Sequence, residues 1–181
     1  MSSRKQERLI LSERYRELAF EGTEVDRPAV LEDLRQALYA SKICAYAQGF
    51  NLLEEAGKVY GWDLQMGRIA KIWRSGCIIR ARFLDTVSEI FEKESGMTNL
   101  LASGYFSQVL YGARAGWGRI ISLAVERGAA IPALSSALAY FDSYRTARGS
   151  ANLLQTQRDC FGAHTYERID KEGAFHTDWM N

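Results

Sequence analysis

The apolar positions of this chain fall into long runs at helical spacing, and alternation of the kind that makes a half-buried strand never lasts beyond a few residues. The longest run opens at Pro28, where a missing N–H costs a helix little, and continues to about Tyr60. Leu31, Leu34, Leu38, Ala45 and Leu52 recur in it at intervals of three, four and seven residues, while Ala37, Ala40, Ile43, Cys44, Ala47 and Phe50 fill other faces. A helix apolar on most sides is expected at the centre of a domain, packed by several neighbours. At about 1.5 Å per residue it spans roughly 45 Å. Lys42, Gln48 and Asn51 interrupt it, and should sit at a wet edge or make specific buried hydrogen bonds.

Shorter helices surround it. Ser2 and Ser3 can cap a first helix that reaches about Phe20, and residues 21–26 read as a loop. Gly61 suits the residue just past the long helix, and Asp63 can cap the next, which holds Ile69, Ile72 and Trp73 and breaks at Ser75-Gly76. Residues 78–91 read as another helix, with Ile79, Phe83, Val87 and Ile90 on one face, followed by a loop over 94–98. Residues 100–111 and 112–127 read as two more, the second carrying Trp117, Ile121 and Val125 and stopping at Gly128. Pro132 starts a helix with Leu134, Leu138 and Phe141 on one face, Gly149-Ser150 is a joint, and residues 151–161 form a short helix. Residues 162–181 have no clear period and are expected to be an extended tail. The pattern therefore predicts an all-α chain: a multi-helix domain over residues 1–149, then a C-terminal helix and tail over 150–181.

Composition narrows the function classes. Lys plus Arg (23) nearly balances Asp plus Glu (22), which leaves a formal charge of +1 and no electrostatic footprint for nucleic acid or an anionic membrane. No apolar stretch is long enough for a membrane span and no apolar leader opens the chain. Cys44, Cys77 and Cys160 are far apart, odd in number and without a C-x-x-C pair, and read as reduced thiols of an intracellular protein. A cytoplasmic location is expected.

His164 and His176 are twelve residues apart and match no zinc spacing, so no metal site is expected. No P-loop, nucleophile elbow or G-x-G-x-x-G turn is present. Gly112, Gly116 and Gly118 lie in a helical context, where they allow close helix packing rather than cradle a phosphate. Arg74, Arg80 and Arg82 cluster, either as an anion site or as ion pairs holding helix ends or solvated side chains. The segment from Gln157 to Tyr166 is richer. Arg158 can grip phosphate or carboxylate with a planar fork, and His164 follows after a glycine that can turn the chain. The pair suits a phosphorylated sugar acid. The plainer alternative is an Arg158–Asp159 surface pair and a tail histidine.

The segment Gln155-Thr156-Gln157-Arg158-Asp159-Cys160-Phe161-Gly162-Ala163-His164-Thr165-Tyr166-Glu167 closely resembles the terminal signature of the 6-phosphogluconate dehydrogenases. Collinear stretches support it: Ala37 to Ile43, Tyr46 to Phe50, Trp73 to Arg80, Ser135 to Arg145, and Phe175-His176-Thr177-Asp178-Trp179. The resemblance covers essentially the whole chain. It implies oxidative decarboxylation of 6-phospho-D-gluconate to ribulose 5-phosphate, a step of the pentose phosphate pathway and of gluconate utilization, with NADP as hydride acceptor. It implies an N-terminal Rossmann domain that binds NADP, a helical domain that forms a homodimer, and a tail that enters the partner subunit. By resemblance, Arg158 and His164 contact substrate in the partner's active site, Arg158 at the phosphate. The glycine fingerprint, the Lys-x-x-His-Asn segment with its following Glu, and the Lys-Gly-Thr-Gly-Lys loop of that family do not occur in these residues, which begin as though within the helical domain. The chain alone is therefore expected to be inactive, with no catalytic or cofactor-binding residue of its own. The alternative is a non-enzymatic helical dimerisation module left by gene truncation. Cys160 stands where the family usually has Tyr, and Arg148-Gly149-Ser150 replaces a more apolar joint.

Overall fold

A computed structural model describes residues 2–18, 22, 24–94, 96–97 and 99–180. The first helix, expected to reach Phe20, ends at Arg14 and is followed by a 3-10 turn over Arg16–Leu18; Phe20 itself and the loop positions Glu21, Thr23, Ser95 and Thr98 lie outside the described residues. Among the rest are seven α-helices: α1 (Lys5–Arg14), α2 (Arg27–Tyr60), α3 (Met66–Gly76), α4 (Leu84–Lys93), α5 (Gly104–Glu126), α6 (Pro132–Tyr144) and α7 (Ala151–Gly162). Two short antiparallel strands follow, β1 (Tyr166–Glu167) and β2 (Ala174–Phe175). The fold class is all-α, as the periodicity predicts. No described helix is long and apolar enough to cross a membrane. The chain divides into two compact units, residues 1–139 and 140–181.

In the first unit α2 is the organising element. Asp26 caps it by accepting from Ala29 N–H at 3.3 Å, and Gly61 closes it in the left-handed conformation at φ 67°. Its buried face carries Ala37, Ala40, Ile43, Cys44, Ala47 and Phe50, against which α5 lays Phe106, Leu110, Ala113, Trp117 and Ile120. Small residues on α2 bring the two helices close. A Cβ at Gly116 of α5 would stand 2.6 Å from Asp33 Oδ1. Arg119 donates to the same carboxylate through Nε and Nη2, at 2.7 and 2.6 Å, which locks the crossing. Of the glycine-rich stretch, Gly116 is thus the packing position; a Cβ at Gly112 would meet nothing within 4 Å, and one at Gly118 only the Arg114 side chain of the same helix. Lys42 and Gln48 are exposed, at the wet edge expected of them. Burial pushes the Cys44 thiol up to about 12, so that cysteine is an inert core residue, and all three cysteines are free.

Several expectations change. The stripe Leu31, Leu34, Leu38 and Leu52 is not buried in this chain; these side chains are 58, 43, 60 and 71 % exposed. On α5 the buried register is Ala113, Trp117, Ile120 and Ala124, and Val125 is exposed. Residues 104–126 form one helix rather than two, because Gly112 sits inside an unbroken ladder and Ser103 provides the only cap needed, accepting from Phe106 N–H. α1 begins after a 3-10 turn over Ser2–Arg4, so its N-cap is Arg4, without a side-chain bond. Asp63 does not cap α3; it accepts from the Gln65 side chain, and the helix starts at Met66.

The helix predicted from residue 78 starts only at Leu84. The Tyr46 hydroxyl bonds the Ile79 carbonyl, which removes it from a helical ladder, and i to i+3 turns carry the chain from Cys77 to Asp85. Phe83 then enters an aromatic cluster, edge-on to Tyr46 at 4.9 Å, Phe106 at 5.8 Å and Tyr39 at 6.1 Å.

Candidate functional site

The second unit is built differently. Of its described residues from Tyr140 onwards, only Asp159 is buried, and it is completely so. A carboxylate with no water must have its lone pairs filled by donors. Here four donors converge. Thr165 N–H (3.0 Å) and His176 Nδ1 (2.9 Å) reach Oδ1, while Thr177 N–H (3.0 Å) and Trp179 Nε1 (2.9 Å) reach Oδ2. His176 therefore carries its proton on Nδ1. Burial alone would push the Asp159 carboxyl up; the bonds from Thr177, His176 and Trp179 outweigh it and hold the group well below the usual carboxylate range. The tail folds back onto α7 through this side chain and through Gln155, whose Nε2 donates to the Thr165 carbonyl, and a hairpin follows: Tyr166 pairs with Phe175 and Glu167 with Ala174. The tail expected to be extended thus contains a short, anchored hairpin.

Arg158 and His164 are arranged around this anchor. α7 ends at Ala163, whose N–H reaches the Asp159 main-chain carbonyl at 2.9 Å. Ala163 and Thr165 both take left-handed conformations, at φ 49° and 60°. Side chains avoid this region, at a cost of roughly 1–2 kcal/mol per residue, and such residues persist where the surroundings over-determine them. Strain therefore flanks His164 on both sides. Its ring lies over the end of the helix: a Cβ at Gly162 would stand 2.8 Å from His164 Nε2. Positions 158 and 162 are one turn apart on the same helical face, about 5–6 Å between Cβ atoms. The imidazole of His164 thus lies on the face that carries Arg158, one turn further on. Both side chains are exposed.

The alternative of an Arg158–Asp159 surface pair is excluded, since Asp159 points inward and its oxygens serve other donors. The Arg158 side chain is exposed and takes part in no ion pair among the described residues. Cys160 is exposed, so no buried hole marks the place of the family's usual ring. Sequence reasoning named Arg158 and His164 but missed the anchoring roles of Gln155, Asp159, His176 and Trp179. The signal available was their presence in the two stretches of strongest resemblance. Within the arginine cluster, Arg74 holds a helix end, donating from Nε to Asp85 Oδ2 at 3.1 Å.

A dinucleotide needs a strand, a glycine turn and a helix N-terminus. The strands among the described residues are two residues long and lie after α7, so these elements do not build that cradle.

Fold and geometry together define a class: an all-helical chain whose tail is anchored by a buried carboxylate and carries an exposed arginine and histidine at the end of α7. The chain belongs to the 6-phosphogluconate dehydrogenase family, matching the profile of the family's C-terminal domain over residues 1–179. It is 51 % identical over 156 residues to 6-phosphogluconate dehydrogenase, decarboxylating 1, of Oryza sativa subsp. japonica, covering 86 % of this chain and 32 % of that protein. It is 52 % identical over 155 residues to the NADP(+)-dependent, decarboxylating 6-phosphogluconate dehydrogenase of Bacillus subtilis (strain 168), covering 86 % of this chain and 33 % of that protein. A solved structure of Plasmodium falciparum 6-phosphogluconate dehydrogenase, described in apo form and in complex with its cofactor NADP+ and its substrate 6-phosphogluconate, superposes with a TM-score of 0.84. Identity is 35 %, over 95 % of this chain and 38 % of that one. The chain thus spans about a third of the length of the relatives it matches.

Proposed function

We propose that these residues are the helical and tail portion of an NADP-dependent, decarboxylating 6-phosphogluconate dehydrogenase, converting 6-phospho-D-gluconate to ribulose 5-phosphate in the pentose phosphate pathway. The observation that carries this is the placement of Arg158 and His164 on one exposed face of a strained, anchored helix end. Arg158 grips the substrate phosphate with charge-assisted bonds, and His164 adds a hydrogen bond that fixes its orientation. Residues 1–149 act as the dimerising domain, and residues 150–181 reach the partner subunit's active site. NADP binding, the hydride transfer it supports and the acid–base pair belong to the family's N-terminal portion, so the 181 residues are inactive by themselves. The exposed stripe Leu31, Leu34 and Leu38 supports a homodimer, because a row of leucines one helix face wide needs a covering partner. Free thiols, one of them exposed, fit a reducing cytoplasmic setting.

The test mixes this chain with a separately made N-terminal portion and follows 6-phosphogluconate-dependent NADPH formation. Activity should appear only in the mixture, and Arg158→Ala should raise KM by about a hundredfold, the loss of a bidentate charged contact worth roughly 1.5–3 kcal/mol. No activity in the mixture, or an unchanged KM in Arg158→Ala, removes the reading.

A further inference from the structure

We propose that Gln155 and Asp159 are positioning residues for substrate binding: they clamp the peptide flanking His164 from both sides and hold its imidazole beside Arg158. The inference rests on the reading of Arg158 and His164 as substrate ligands. The two residues are one turn apart on α7, on the face next to the one that carries Arg158 and Gly162. Asp159 Oδ1 receives Thr165 N–H at 3.0 Å, and Gln155 Nε2 donates to the Thr165 carbonyl at 2.5 Å. Thr165 is thereby gripped at both ends, which is what holds a β-branched residue at φ 60°. On the other side of His164, the Ala163 N–H is held by the main-chain carbonyl of the same Asp159 at 2.9 Å. The His164 backbone is therefore fixed before and after it. Only its two side-chain torsions remain; Phe161 stands edge-on to the ring at 6.0 Å, and the absence of a Cβ at Gly162 leaves the ring the place it takes over the helix end.

The four donors on Asp159 explain why a carboxylate is needed there. An amide has one accepting oxygen and would turn an NH2 against two donors. Gln155 is the complementary jaw: its role requires a donor, and it touches Thr165 without entering the Asp159 network. Glutamate at 155 has nearly the same shape but presents oxygens to the Thr165 carbonyl. Gln155→Glu therefore separates positioning from packing, while leaving the bonds to Asp159 in place.

Two measurements test the clamp. In the 181-residue chain, the His164 ring protons should show a nuclear Overhauser contact to the Gly162 Hα. That contact should be lost in Gln155→Glu, while the Trp179 indole N–H signal stays where it is. In the mixture with the N-terminal portion, Gln155→Glu should raise KM for 6-phosphogluconate about tenfold, the worth of one oriented hydrogen bond to a charged ligand, at nearly unchanged kcat. In a His164→Ala background the same change should add nothing, because the effect passes through that ring. Retention of the Overhauser contact, an unchanged KM, or an equal rise in the His164→Ala background would each overturn the proposal. Arg158→Ala, run alongside, keeps the two ideas apart: if it raises KM and Gln155→Glu does not, the clamp fails and the substrate reading stands.

Discussion

A methyl group at position 162 would meet the His164 ring at 2.8 Å, yet the backbone there is ordinary helix, not a conformation reserved for glycine. The two facts pull in opposite directions. Alanine favours a helix over glycine by about 1 kcal/mol, so Gly162→Ala should leave α7 as stable or slightly more so. The ring, however, must move off the face of Arg158. The expected outcome is a melting temperature unchanged or raised, together with a KM for 6-phosphogluconate raised several-fold, about tenfold on the scale of one lost hydrogen bond. Thermal melting followed by circular dichroism and steady-state kinetics on the reconstituted mixture check the two halves. A variant with unaltered KM would show that the close approach over Gly162 has no bearing on substrate.

The element formed by α7 and its hairpin is held by one polar knot rather than by an apolar core. Its response to acid follows from that. A carboxyl whose folded pKa is depressed stabilises the fold at pH above its unfolded value, about 3.9, and that stabilisation is lost as pH falls through the folded value. The Asp159 carboxyl lies well below the usual range, through the donors that overcome its burial. The hairpin should therefore stay closed while exposed carboxylates titrate, and open only in stronger acid. The Trp179 indole N–H, 2.9 Å from Oδ2, reports it directly. Its proton resonance should hold its position from neutrality down through pH 4. A resonance that shifts to its free value already between pH 5 and 4 would mean that Asp159 titrates like an ordinary carboxylate.

For the whole molecule, the decisive feature is the leucine stripe on α2. Leu31, Leu34 and Leu38 repeat at three and four residues, as core positions do, but α5 packs on another face of the same helix. Burying a leucine side chain completely gains about 1.5–3 kcal/mol, so a covering partner would be well rewarded. With a homodimer as the proposed state, Leu34→Glu and Leu38→Glu together should convert the 181-residue chain from dimer to monomer by light scattering, while α-helical content is retained. A wild-type chain that runs as a monomer across the micromolar range would sink the dimer reading.

Sequence alone determined the all-α class, the extent of α2, the starts of α6 and α7 and the packing role of Gly116, because helix periodicity, prolines and caps act over a few residues. It also singled out Arg158 and His164, through their residue types and the motif around them. Tertiary structure decided the rest. Which stripe of α2 faces the core depended on where α5 could approach most closely, at the alanines rather than the leucines. The late start of α4 depended on a bond from Tyr46, thirty-three residues away. The inward turn of Asp159 depended on donors at His176, Thr177 and Trp179, which only chain reversal in the tail brings together. Local pattern sets what a segment can form; the contacts that choose among its faces come from residues distant in the chain, and these appear only when it folds.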